Sequence, residues 1–272
     1  MFRPDSHILS LTWPRQHGAW TILAASAALG FAVGGPVRVP TLFLATAVFC
    51  GFLGRQAAET WLGLARGDAR RNAVAALYLL YLGLCITTGL AAAAHGLWFL
   101  LPIGAAGMSA AAASLLLGRL GRSASLAVDL VGLAGLGLVA PAFEYCTSGE
   151  LTQRTAALWL LSTLFFAGRP FQVRFFTRHR AAQSSLSQRL RAGWPTLAYQ
   201  SFALIAALGL AAATHAANPW LVSLAFLPVA ALAAVSVMRG PGSPLPIWKI
   251  GCLEGLQALN FVVFAALALK LA

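Results

Sequence analysis

The sequence predicts an all-α polytopic integral membrane helix bundle of about nine transmembrane helices, folded as one domain over residues 1–272. Three observations predict it. First, 59% of the 272 residues are hydrophobic and only 10% are charged, whereas a soluble domain carries about 25% charged residues. Second, the mean hydropathy is +0.77. Third, apolar stretches of bilayer-spanning length, roughly 20 residues each, recur along the whole chain. This composition excludes a soluble enzyme, a disordered chain and a disulfide scaffold.

The opening segment, MFRPDSHILSLTWPRQHGAW, lacks a contiguous apolar region followed by a small-residue cleavage site. The first span is therefore expected to be retained, preceded by a short cytoplasmic segment of residues 1–18. Span 1, about 19–35, ends at Gly34-Gly35-Pro36. Spans 2 to 4 fall at about 40–56, 72–93 and 97–117. Span 5, about 124–142, holds Asp129 and three poor helix formers, Gly132, Gly135 and Gly137. Span 6 falls at about 155–172. Pro195 and Pro219 are expected to open spans 7 and 8, about 195–214 and 219–238, where a missing N–H costs least. The segment from Arg239 to Pro246, RGPGSPLP, cannot continue a helix, so it forms the loop before span 9, about 248–270. Trp20, Trp98, Trp194, Trp220 and Trp248 fall at span ends, as an interfacial aromatic belt requires. Gly30-x-x-x-Gly34 and Gly251-x-x-x-Gly255 have the small-xxx-small spacing of closely packed helices, here read as packing inside one bundle.

The formal net charge is +12. With no soluble domain to carry a basic surface, nucleic acid is excluded as a partner and the positive-inside bias accounts for the excess. Nine spans leave only Arg38, Arg154 and Lys270 on one side, against 16 of the 19 Lys and Arg on the other. The N-terminus is thus expected in the cytoplasm and the C-terminus on the opposite side. The four cysteines, Cys50, Cys85, Cys146 and Cys252, form no CxxC pair and suggest neither a metal site nor a disulfide framework.

Charged groups near a bilayer core are costly and must be paired or line a cavity. Arg55 and Glu59, four apart at the end of span 2, share a helix face if the helix continues, and Asp68 follows among Arg66, Arg70 and Arg71. A solvated basic loop and a ligand site both fit this pattern. After span 6, Arg169, Arg174, Arg178 and Arg180 alternate with Phe171, Phe175 and Phe176. Arginine forks suit phosphate or carboxylate, and a basic aromatic stretch also suits an anionic headgroup layer. His17 and Trp20 stand at the mouth of span 1, and Glu254 lies inside span 9 with Gln257 beside it. Asp129 is a further intramembrane carboxylate. His95 and His215 fall near the opposite face without carboxylate or arginine company.

The segments PRQHGAW and IGCLEGLQALNFVVF, with the arginine-rich stretches after spans 2 and 6, resemble the YwiC-like family of bacterial membrane proteins. Residues 119–141, RLGRSASLAVDLVGLAGLGLVAP, are similar to the basic loop and glycine-rich helix of the UbiA-type intramembrane prenyltransferases, which also have nine helices. That second resemblance implies a UbiA-like arrangement in a bacterial inner membrane and a prenyl diphosphate held with Mg2+ by two Asp-rich motifs. The matching positions here read Arg55-x-x-x-Glu59 and Arg169-Pro-Phe-Gln-Val-Arg174, a poor Mg2+ site.

Together these readings define a cytoplasm-facing cavity for an isoprenoid or other anionic amphipathic lipid. His17, Trp20, Arg55, Asp68, Arg169, Arg174 and Arg178 are the candidate ligand-binding residues, and Glu59 and Glu254 the candidate catalytic bases. Three cations and two anions, Arg55, Arg169, Arg174, Glu59 and Glu254, would leave one positive charge for the head. A small-anion transporter and a non-enzymatic membrane subunit or assembly factor are the alternatives.

Overall fold

The computed structural model describes residues 12–14, 17–122, 125–178, 185–239 and 247–272, and among them the chain is helical without strands. The helices are α1 (His17–Gly34), α2 (Val39–Gly63), α3 (Arg71–Ala93), α4 (Leu100–Leu117), α5 (Leu126–Gly137), α6 (Val139–Ser148), α7 (Gln153–Ala167), α8 (Arg169–Arg178), α9 (Leu186–Thr214), α10 (Pro219–Arg239) and α11 (Ile247–Lys270). Among the described residues seven helical segments are long and apolar enough to cross a membrane: α2, α3, α4 with the turn after it, the joined α5 and α6, α9, α10 and α11. The chain is a polytopic membrane helix bundle.

The helical path has two joints, α5–α6 and α7–α8, and proline explains both. Pro141 lacks the N–H that would bond the Gly137 carbonyl, and the helix breaks at Leu138 between α5 and α6. Pro170 likewise cannot donate to the Phe166 carbonyl, which accepts from the Gly168 N–H instead, and α7 gives way to α8 at Gly168. Pro219 opens α10 as expected, with the Asn218 side chain accepting from the Trp220 N–H at 3.0 Å. Pro195 does not open a helix. It lies inside α9, because Ser185 and Gln188 form a capping box that starts the helix at Leu186. Helix α2 also runs past its expected end to Gly63, carrying Glu59 on the helix.

The bundle packs around two apolar clusters. In one, Phe165 of α7 stacks on Phe261 of α11 at 4.0 Å, with Phe226 of α10 edge-on to both. In the other, Phe143 and Val139 of α6 meet Leu23 of α1 and Leu44 of α2. Helix α1 lies directly on α6. A Cβ at Gly30 would strike the Ala140 carbonyl, and one at Gly34 would strike the Thr147 hydroxyl. The small-xxx-small reading thus holds for Gly30 and Gly34. For Gly251 and Gly255 a Cβ would meet nothing within 4 Å among the described residues. The bilayer side of the bundle is formed by α3 and α4, whose apolar windows are only 6% and 11% buried.

Candidate functional site

Helix α3 packs along α2 and α4 along α5, while α3 and α4 touch each other little. Between these pairs, closed behind by α1, α6, α7 and α11, lies a cavity of ≈ 810 Å³. Its body is apolar, lined by Leu44, Val48 and Phe52 of α2, Leu136 of α5 and Val139 of α6. Arg55, Glu59, Asp129, Arg169 and Glu254 line it as well. Along α2, from Leu44 to Glu59, the lining extends roughly 22 Å at the helical rise of about 1.5 Å per residue. Apolar body and charged groups together give the cavity an amphipathic lining.

Helix α2 supplies the first pair. Arg55 Nη1 lies 3.6 Å from Glu59 Oε2 one turn on, and Arg55 Nη2 donates to Ser114 Oγ of α4 at 3.4 Å. Helices α5 and α8 supply the second, with Arg174 Nη2 2.9 Å from Asp129 Oδ2. Arg169 is different. The joint at Gly168 fits against the Gln200 amide, and α8 is tied to α9 by Phe171 stacking on Tyr199 at 4.6 Å and by Thr196 Oγ1 donating to the Phe171 carbonyl. This leaves Arg169 8% exposed. Its Nη1 donates to Gln257 Oε1, its guanidinium lies over the Phe165 ring at 5.1 Å, and its buried Nη2 has no partner. Among the described residues no cation lies within 4 Å of Glu254. Its Oε2 is 3.6 Å from where a Cβ of Gly18 would stand, at the first turn of α1.

The structure thus brings Arg55, Glu59, Asp129, Arg169 and Glu254 into the lining of one cavity, with Arg174 paired to Asp129. It does not bring Trp20 or Asp68 there. Trp20 sits outside the lining, donating from Nε1 to the Pro14 carbonyl at 3.1 Å and packing edge-on against Phe52 at 4.8 Å. Asp68 belongs to the loop between α2 and α3, where Arg70 grips its two oxygens at 3.0 and 2.8 Å. Those hydrogen bonds hold the Asp68 carboxyl at about 2, well below the usual aspartate range. His17 opens α1 and Arg178 ends α8, but both side chains lie outside the described ones. The expected surplus of one positive charge is also corrected. Asp129 joins the cluster, so three arginines face three carboxylates at this end among the described residues.

Sequence reasoning missed Glu144 of α6. It is fully buried, accepts from Thr155 Oγ1 at 2.7 Å and faces Arg154 at 3.5 Å. The signal was present as a carboxylate between Phe143 and Tyr145, but the span was ended before it. Ser114 was missed too, a buried hydroxyl on an alanine-rich helix. Mg2+ does not fit the cavity. Glu59 faces Arg55, Asp129 is bound by Arg174, Asp68 is elsewhere, and among the described residues no three acidic, His or Cys side chains converge.

Fold and cavity define an integral membrane helix bundle with an internal amphipathic pocket. Residues 13–144 match the family described as YwiC-like protein, and over that stretch the chain is similar to it. No curated protein matches the sequence.

Proposed function

We propose that this protein binds one anionic amphipathic lipid, isoprenoid or other, with the chain in the cavity body and the head at Arg169. One observation carries the reading: a buried guanidinium N–H without a partner among the described residues, at a cavity whose body is apolar. Arginine is the side chain suited to hold phosphate or carboxylate oxygens away from water. Access favours a lipid as well. Ile86 and Leu90 of α3 and Leu101 and Met108 of α4 line the cavity and are also exposed on the bilayer side, which makes a lateral portal between two loosely joined helices.

A UbiA-like arrangement with the arginine-rich end toward the cytoplasm of a bacterial inner membrane fits this reading. So does transfer chemistry on the bound lipid. Glu254, free of an ion pair among the described residues, would be the base, and Glu59 would fix Arg55. The cavity would contribute orientation and charge stabilisation in a water-poor space.

The test is mass spectrometry of lipid extracted from the purified protein. A species enriched over the bulk membrane extract is expected, reduced at least tenfold in Arg169→Gln. That factor corresponds to one charge-assisted hydrogen bond, about 1.5–3 kcal/mol. An extract identical to the bulk membrane in both proteins refutes the reading.

A further inference from the structure

Resting on that reading, we infer that the ligand's head is monoanionic, of carboxylate type, and not a diphosphate. The cluster described above sets the limit. Arg55, Arg169 and Arg174 stand against Glu59, Asp129 and Glu254, so the described groups sum to zero before anything binds. Arg55 and Arg174 already face carboxylates at 3.6 and 2.9 Å. Of these three, only Arg169 keeps a buried N–H without a partner among the described residues. Its contacts are a neutral amide and an aromatic face, and Glu254 attracts it from beyond ion-pair distance.

One such donor group matches one carboxylate, whose two oxygens suit a guanidinium fork. A carboxylate adds a single negative charge to this balanced set. A prenyl diphosphate would bring two or three charges to a lining that already carries three carboxylates. In a low-dielectric cavity that repulsion is little screened, and the carboxylates are not gathered to bind a bridging Mg2+.

The experiment uses the full-length protein in nonionic detergent with EDTA present. Two probes of similar chain length, oleate and geranylgeranyl diphosphate, compete for the cavity and are read by native mass spectrometry. Oleate is expected to bind saturably, and the diphosphate at least tenfold more weakly. Glu254→Gln removes one carboxylate from the lining and should narrow that gap by about tenfold. Diphosphate binding equal to or tighter than oleate in the wild type overturns the inference while leaving an amphiphile site in place. A gap unchanged in a folded Glu254→Gln protein also overturns it. Saturable binding of neither probe overturns the lipid reading itself, and the inference with it.

Discussion

Replacing Gly34 by alanine tests the contact on which the bundle's centre depends. Gly30 and Gly34 lie one turn apart on the face of α1 that meets α6. A methyl at position 34 would overlap Thr147 Oγ1 and stand 2.9 Å from the Glu144 carbonyl and 3.0 Å from its Cα. The Thr147 hydroxyl is itself bonded to the Phe143 carbonyl at 2.9 Å, and backbone atoms cannot rotate away, so the two helices must separate. Overpacking of this kind costs about 1–3 kcal/mol. The gain in helix propensity from glycine to alanine offsets up to about 1 kcal/mol of it. A net loss of about 1–2 kcal/mol corresponds to an apparent Tm lower by roughly 2–8 °C in a chain of this size, measurable by size-exclusion after heating in detergent. Gly251→Ala is the control with the same spacing and no described neighbour within 4 Å, and its Tm should be equal or higher. Wild-type stability in Gly34→Ala, or an equal fall in Gly251→Ala, would refute the reasoning.

Other outcomes follow from the same geometry. A Cβ on Gly104 or Gly107 of α4 meets nothing within 4 Å, yet both residues line the cavity. Gly107→Leu should therefore keep or raise Tm while lowering lipid recovered per protein, and unchanged recovery would contradict a filled cavity. Asp68→Asn should leave lipid recovery unchanged, because Asp68 lies outside the lining. The Asp68 carboxyl is depressed, so its contribution to loop order is complete above the unfolded value of about 3.9 and is lost as pH falls through about 2. Carbon-13 NMR of the aspartate carboxyls should find this midpoint, and one near 4 would contradict the Arg70 grip. Glu144→Gln keeps an acceptor for Thr155 and should cost about 1 kcal/mol. Glu144→Ala also empties the site and should approach the ~3 kcal/mol lower end for a broken buried pair, since Arg154 can turn to water. Equal melting temperatures for the two variants would exclude a structural clasp at Glu144.

What the sequence made legible was local. Hydropathy locates the spans because each must shield its own backbone from lipid, and Gly34-Gly35-Pro36 and Pro219 mark helix ends that neighbours need not enforce. The Arg55 and Glu59 pair was legible because one helix turn sets its geometry. Pro195 misled because a capping box at Ser185 and Gln188 starts the helix upstream, and a proline inside a membrane helix is tolerated. Asp68 misled because Arg70, two residues on, is its nearest partner and keeps it in the loop. Glu144 was hidden because its burial is decided by α1 and α7, elements remote in sequence. Which carboxylate takes which arginine was also illegible. Asp129 and Arg174 are 45 residues apart, and Arg169 and Gln257 are 88 apart.

The partners chosen for the three arginines separate architecture from binding. A cation used only to hold helices together is best matched by a carboxylate, because an ion pair offsets desolvation and cancels the field. Arg55 and Arg174 are matched in this way. Arg169, the most deeply buried of the three, is instead held by the Gln257 amide and the Phe165 ring. Both orient a guanidinium, through a hydrogen bond and through cation–π attraction, and neither removes its charge. Desolvating a cation with only Glu254, beyond ion-pair distance, to offset its charge is costly, and a purely structural arginine would gain from a carboxylate in place of Gln257. The arrangement is favourable when a negative group arrives from outside the chain. Gln257→Glu tests that logic directly: it should raise Tm by supplying the missing charge and abolish lipid recovery by occupying the guanidinium. A variant that is stabilised yet still retains its lipid would show that Arg169 is a structural group and not the ligand's partner.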